Sequence, residues 1–324
     1  MVRTGRPPQH HGLRRVAEVG EGKGRLIPVG DDLFCLDGAF NIYLLGGEEP
    51  VLFEGGLSVQ YPLLEEAMED IGVDPRRIKG AFILHTHADH VMAVAKLKAQ
   101  YPQIKVYASA EAKKTLEKER VWQTIMEAER GISQAVALKE GLRVPEGAAF
   151  LQVDEVLSDG ASLEFGGHRL EVIATAGHSP CSISVLLDGR VLLVSDALGG
   201  WLFRSPEGPR PSFFWSLEDY ISSARRLERV PCDVLCFGHN GFIRGRERIK
   251  ALFEGHWRNL EALLQEVSRV KSLEDYERLS KDFAVRWYVD FLRFFPWEFH
   301  LQAVRLLVGR TLEYLGKDAI LEGS

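Results

Sequence analysis

Cysteine is scarce in this chain: four residues, Cys35, Cys181, Cys232 and Cys236, among 324. They are scattered, and Cys232 and Cys236 lack the C-x-x-C spacing of a redox or zinc pair. A disulfide scaffold is therefore excluded, and reduced packing thiols are expected. Long apolar runs are missing too. No stretch approaches the roughly 20 residues that span a bilayer, and no apolar segment follows the basic residues Arg3, Arg6, Arg14 and Arg15, so neither a membrane span nor a secretory signal is expected. Neither sign of charge dominates: 40 Lys and Arg are interspersed with 46 Asp and Glu, for a formal charge of −6. That balance argues against a surface built to neutralise phosphates. The expectation is a cytoplasmic enzyme with a small-molecule substrate, no nucleic-acid or membrane partner, and a homodimer left open. Residues 1–23, with Pro7, Pro8, His10 and His11, read as a flexible arm. The rest exceeds a typical single domain, and one domain at 24–248 with an appendage at 249–324 is the expected division.

What the chain does have is a concentrated set of titratable groups. Phe82-Ile-Leu-His-Thr-His-Ala-Asp-His90 is an apolar run that ends in three histidines and an aspartate. Neutral imidazole and carboxylate suit Zn²⁺, Fe or Mn²⁺. In an extended segment His85 and His87 project to one side, and a following turn can bring Asp89 and His90 to a neighbouring position. Three further strand-like runs end the same way, at Gly177-His178, at Ser195-Asp196 and at Gly238-His239. A lone histidine after a strand is ordinarily a hydrogen-bonded loop residue; four such strand ends together point to a metal centre.

The run His85-x-His87-x-Asp89-His90, followed in order by His178, Asp196 and His239, resembles the metallo-β-lactamase superfamily. The resemblance covers about Leu26 to Arg248. It implies a four-layer αββα sandwich and two divalent ions, zinc first, with iron or manganese as alternatives. One ion would be held by His85, His87 and His178, the second by Asp89, His90 and His239, with Asp196 bridging. Two departures matter. Val91-Met92-Ala93 follow the motif where small glycines are common, so bulkier contacts are expected there. Glu54-Gly55-Gly56 replaces Asp-x-Gly, and Glu54 reads either as the acceptor that orients a ligand histidine or as a solvated turn residue. Cys181, in His178-Ser-Pro-Cys181, reads as a small packing residue, with a thiol near the site as the alternative. His168 reads as solvated.

Periodicity gives the coarse plan. Strands are expected at 26–36, 40–46, 50–53, 81–84 and 105–108, so that a first strand-rich half ends near residue 108. The second set is expected near 162–165, 169–174, 182–187, 190–195 and 233–238. Helices are expected at Tyr61 to Ile71, Val91 to Gln100, Ala110 to Lys118 and Ser216 to Arg229. A long helical insertion, 110–150, is interrupted at Gly131 and reads as a lid or a surface helix pair. From Ile249 onward the spacing is helical and rich in aromatic residues, which pack on the sandwich, on a second subunit or on an apolar substrate. Tyr288, Trp297 and His300 are the candidates there for one side of the site's mouth. Trp201 and Phe203 read as an apolar wall or as core closure.

The resemblance implies a dinuclear hydrolase that cleaves an ester-like bond (thioester, lactone or ester) with a hydroxide shared by the two ions, and Asp89 holding the hydroxide and passing its proton. His178-Ser-Pro and the helical carboxyl terminus are closest in character to hydroxyacylglutathione hydrolases, the glyoxalase II-like members. The alternative is an iron oxidoreductase on the same fold, persulfide-oxidising or diiron; Ala88 stands where flavodiiron relatives carry Glu.

Overall fold

The structure is a computed structural model that describes residues 25–145 and 150–322. The arm at 1–23, with His10 and His11, lies outside the described residues. Seven strands form the first sheet in chain order: β1 (Arg25–Pro28), β2 (Leu33–Asp37), β3 (Ile42–Leu45), β4 (Val51–Phe53), β5 (Gly80–Phe82), β6 (Lys105–Ser109) and β7 (Glu155–Leu157). The first four pair antiparallel and β4 to β7 pair parallel. The second sheet contains β8 (Ser162–Phe165), β9 (His168–Ala174), β10 (Ile183–Leu187), β11 (Val191–Ser195), β12 (Val234–Phe237) and β13 (Phe242–Arg244). Its order is β13-β12-β11-β10-β9-β8, with β11 and β12 parallel and the other pairs antiparallel.

Because side chains alternate along a strand, each strand feeds two cores. Cys35 of β2, Tyr43 and Leu45 of β3, and Val51 and Phe53 of β4 face the second sheet, where Val185, Leu187, Leu193 and Cys236 meet them. Leu36, Ile42, Leu44 and Leu52 face the other way, onto helices. Those helices are α1 (Tyr61–Asp70), α2 (Met92–Gln100), α3 (Ala110–Leu116) and α4 (Glu119–Glu140). On the opposite side Leu192, Val194 and Leu235 pack against α5 (Leu217–Glu228) and α6 (Arg246–Ser268). Uninterrupted apolar strands such as Val191-Leu-Leu-Val194 are what a sheet covered on both faces requires. The layers are thus helix, sheet, sheet, helix, the αββα sandwich expected from the sequence.

Three further helices follow, α7 (Leu273–Trp287), α8 (Trp297–Tyr314) and α9 (Ala319–Glu322). Their apolar faces close a separate core: Leu260 and Leu263 of α6, Phe283 of α7 and Val304, Val308 and Leu312 of α8, together with Phe213 and Tyr220. Among the described residues no helix is long and apolar enough to cross a membrane.

The sequence expectations fail at edges and at glycines. Residues 26–36 are two strands, because the chain turns at Gly30, where the N–H groups of Val29 and Gly30 donate to the Leu33 carbonyl. The first strand-rich half extends beyond residue 108, since β7 returns beside β6. Gly131 does not interrupt the helix; α4 runs through it to Gly141, whose φ of 67° ends it. A glycine costs a helix about 1 kcal/mol relative to alanine. That is too little to break α4, which buries Trp122, Ile125, Ile132 and Val136 on one stripe.

Candidate metal centre

Parallel strands end on the same edge of a sheet, and that edge gathers the titratable residues. Glu54 follows β4 and His85 lies just past β5, which run parallel; Asp196 follows β11 and His239 lies just past β12, also parallel. His178 follows β9. Asp89 and His90 lie on a single turn of 3-10 helix, Ala88–His90, that leads into α2. The departure after the motif has a structural counterpart here: Met92, Ala93 and Val94 are buried against Gly55 and Gly56, whose carbonyls accept from their N–H groups. Gly55 itself donates to the His90 carbonyl, and a Cβ on it would lie 2.3 Å from that oxygen. The glycines that allow close approach are on the opposing loop rather than after the motif.

Two sets of ligand atoms form. One atom from each of His85, His87 and His178 lies within 4.8 Å of the others, and the same holds for Asp89, His90 and His239. Asp196 lies between the sets. Its Oδ2 is 4.0 Å from His85 Nε2 and 3.6 Å from His178 Nε2 on one side, and 3.6 Å from His90 Nε2 and 3.3 Å from His239 Nε2 on the other. Four of the five rings are aimed from behind, and the fifth, His87, meets His178 Nε2 through its Nδ1 at 3.0 Å. His178 Nδ1–H donates to the Ser212 carbonyl at 2.8 Å and His239 Nδ1–H to the Ala39 carbonyl at 2.7 Å, so in both rings Nε2 is the nitrogen that can present a lone pair inward. His85 Nδ1 is hydrogen-bonded to Ser195 Oγ at 3.1 Å, and His90 Nδ1 to Glu54 Oε2 at 2.6 Å.

Glu54 is therefore no solvated turn residue: it is 1% exposed and holds the His90 ring. Glu54, His85 and His90 also come within 4.8 Å as a third set, but the 2.6 Å contact commits Glu54 to the outer nitrogen of His90. It serves that ring better than an ion.

Electrostatics divide the two sets. Burial, reinforced by the neighbouring imidazoles His90 and His87, holds His85 well below its ordinary pKa; burial and His178 bring His87 down to about 3. Burial also lowers His178. These rings are neutral, the form that coordinates metals. At His90 burial acts downward but is outweighed by Asp89, Glu54 and Asp196, and at His239 by Asp196 and Asp89, so both are raised. Burial alone would raise Asp89, yet His90 and His239 hold it down to about 2. Protons on the second set thus offset carboxylate charge, a task that a divalent ion performs while releasing them.

The residues fit divalent ions on an independent observation. His85 Nε2, His90 Nε2 and Asp196 Oδ1 are buried and have no hydrogen-bond partner. Leaving such groups unsatisfied costs about 1–3 kcal/mol each, and three converging in one place is the arrangement a cation relieves.

Sequence comparison agrees with this geometry: the sequence model of the Metallo-beta-lactamase superfamily matches residues 37–239. The chain belongs to this superfamily. Among solved structures it is similar to a metallo-beta-lactamase family protein from Thermus thermophilus, at 25% identity over 91% of this chain and 92% of that one, with a TM-score of 0.58. It is also similar in fold to an archaeal metallo-beta-lactamase superfamily protein from Sulfolobus tokodaii, at 19% identity over 87% and 97% of the two chains and a TM-score of 0.54. A subclass B3 metallo-beta-lactamase of Bradyrhizobium japonicum matches at 19% identity over 75% and 94%, with a TM-score of 0.53.

The candidate wall residues fare differently from the superfamily motif. Trp201 is core closure: it is 5% exposed, packs on Phe237 and donates from Nε1 to the Ser205 carbonyl. Phe203 is exposed. Cys181 is buried against Thr86 and Ser179, and His168 pairs with Asp188 near the surface. Tyr288, Trp297 and His300, expected at one side of the mouth, make no ring contact with the five clustered histidines. They pack on one another between α7 and α8, and His300 Nε2–H donates to the Ala284 carbonyl. The ring that the carboxyl-terminal region does bring to the site is Phe291, stacked on His239 with centroids 4.0 Å apart and planes 2° apart. Phe40 meets His239 edge-on, and Phe214 flanks His87 and His178. Phe291 and Phe214 carry no local signal. Ser195 and Gly238 do: each precedes a ligand-like residue at a strand end.

Proposed function

We propose that this chain is a metal-dependent hydrolase that cleaves an ester-like bond of a small molecule, a thioester, lactone or ester. In this reading His85, His87 and His178 hold one ion, Asp89, His90 and His239 a second, and Asp196 is shared, with zinc as the ion. The observation that carries it is the position of Asp196 Oδ2, within 4.0 Å of inward-facing nitrogens from both sets. Divalent ions bound there would acidify a water and polarise the scissile carbonyl.

The protein's own groups do the rest. Asp89, ionised and 3.4 Å from His239 Nε2, accepts a hydrogen bond from the attacking water, turns it toward the carbonyl and is the acceptor for its proton. Glu54, Ser195 and the Ser212 and Ala39 carbonyls keep the imidazoles from rotating, which preserves positioning through turnover. Phe214 and Phe291 exclude bulk water at either end of the ligand array. No protein nucleophile takes part; the Cys181 thiol is turned to Thr86 and Ser179.

Metal analysis of protein purified without added metal, joined to a panel of thioesters, lactones, esters and phosphodiesters, tests the reading. The expected result is a pair of divalent ions and turnover of one ester-like class. Asp196→Asn should lose at least one of the ions, because a neutral amide cannot offset two dications. A single tightly held iron with oxygen uptake on a persulfide would overturn the proposal in favour of the oxidoreductase.

A further inference from the structure

A cavity of about 330 Å³ lies between the loop around residues 200–211 and helices α6 and α7, with none of the ligand-like residues in its lining. Two links tie its wall to the ligand array. Gly200 lines it, and a Cβ on Gly200 would meet the Phe291 ring at 3.4 Å, the same ring that stacks on His239. Arg210 also lines it, two residues before the Ser212 carbonyl that orients His178.

Arg210 is the anomaly in this wall. Its guanidinium lies 4.4 Å from the centroid of the Trp287 ring, its Nη1 is buried without a hydrogen-bond partner, and among the described residues it forms no ion pair. Burial pushes its pKa down to about 9, with no carboxylate pulling it back. The carboxylates of the same wall are not available to it. Glu266 is committed to Arg286 through contacts of 3.0–3.3 Å, and Glu207 is exposed on the rim. Arg210 is partly buried, and a guanidinium held against an aromatic ring with no counter-ion favours an anion that completes it. A guanidinium offers a planar fork of donors that matches a carboxylate or phosphate. Leu202, Leu263, Val289 and the Trp287 ring form an apolar part of the wall, and Ser205, Asn259 and the Glu266-paired Arg286 a polar part.

We propose that this cavity binds a small organic anion, its carboxylate or phosphate capping Arg210 and its apolar or aromatic body lying against Trp287 and Leu263. The anion is either part of the hydrolysed substrate or a separate small molecule; the chemistry recognised is the same.

Binding is measured on the full chain by calorimetry and thermal unfolding, with benzoate as the probe, benzyl alcohol as its uncharged counterpart, and inorganic phosphate. Benzoate should bind and raise Tm, and benzyl alcohol should bind about ten-fold more weakly or worse. Arg210→Met should abolish that difference. Without ligand it should unfold no earlier than the parent, because no ion pair is lost. Arg210→Lys should retain part of the benzoate preference. Equal affinity for benzoate and benzyl alcohol in the parent protein overturns the proposal, and this comparison stands even if a variant fails to fold. So does loss of stability in Arg210→Met with benzoate binding unchanged, which would make Arg210 a packing residue. These measurements need no turnover, so they fail or succeed independently of the hydrolase reading. With a substrate from the panel, a benzoate-dependent rise in KM assigns the site to the substrate's own anion, and a change in kcat at constant KM to a separate ligand; either upholds it.

Discussion

Gly238 offers the sharpest test of the ligand array, because its φ lies outside the left-handed region and the backbone itself would accept alanine. Space is what forbids it. A Cβ there would lie 2.6 Å from Asp196 Oδ1 and 2.7 Å from His90 Cε1. Comfortable contacts are about 3.5–4.0 Å, so both groups would have to retreat by roughly 1 Å. Neither can do so freely: Asp196 is anchored at the end of β11, and His90 is locked by Glu54 at 2.6 Å. A misplacement of about 1 Å costs on the order of 100-fold in rate, and disturbed ligand orientation costs about 10- to 100-fold in metal affinity. Gly238→Ala should therefore keep a native circular dichroism spectrum, lose metal affinity by about 10- to 100-fold and slow turnover by about 100-fold. The measurements are competition with a chelator and steady-state kinetics at saturating metal. Gly30→Ala is the control, since its nearest neighbour would be Leu33 Cβ at 4.0 Å. Parental metal affinity and turnover in Gly238→Ala would refute both the packing argument and the assignment of Asp196 and His90 to the array.

Phe291→Ala removes a 5%-exposed ring that stacks on His239 and packs on Phe40; it should cost about 3–5 kcal/mol of stability and weaken metal retention, and urea unfolding with metal analysis will show whether both fall together. His256 carries a pH effect outside the ligand array: burial brings its pKa down to about 4, so the unfolded chain, titrating near 6.5, takes a proton that the folded chain refuses. This contribution is fully present above pH 6.5 and is lost as pH falls toward 4, by about 2 kcal/mol at pH 5. His256→Phe should lose that much less stability between about pH 7.5 and 5; identical losses in both proteins would show that His256 is not the group responsible.

The clustering of the titratable residues was legible where it is written locally. His85, His87, Asp89 and His90 fall in one run, and His178, Asp196 and His239 each end an apolar strand, so the ligand-like residues could be named from sequence before any contact was known. The αββα plan was implied by the resemblance that those residues carry; strand periodicity alone would have allowed other α/β arrangements, because apolar strands that fill both registers show only that a sheet is covered on both faces. What could not be read depends on partners far along the chain. Ser195 reaches His85 across 110 residues, and Phe291 belongs to a segment, Trp287 to Phe299, in which seven residues are aromatic. Tyr288 and Trp297 were as plausible as Phe291 until the packing of α7 on α8 placed them. β7 and β13 were missed because each is three residues long and exposed on at least one position, too short for alternation to register. Glu54 was ambiguous because its role depends on conformation: its φ of 69° turns the carboxylate back toward His90.

That conformation belongs to a pattern. Residues other than glycine rarely adopt positive φ, at a cost of about 1–3 kcal/mol each in such regions. Here Glu54, Ser195 and Asn240 all do, with φ of 69°, 50° and 58°. Glu54 and Ser195 orient His90 and His85, and Asn240 directly follows His239. The strain is held by long-range contacts: Glu54 N–H donates to the Phe82 carbonyl, and Asn240 Nδ2–H₂ donates to the Trp201 carbonyl and to Asp290. Asp290 begins the 3-10 turn Asp290–Phe294 that presents Phe291 to His239. At the His239 end of the site the carboxyl-terminal region acts through a short segment between α7 and α8, which pins the backbone after His239 with Asp290 and covers its ring with Phe291. The helices on either side position that segment, and the strained backbone it secures is what aims the imidazole inward.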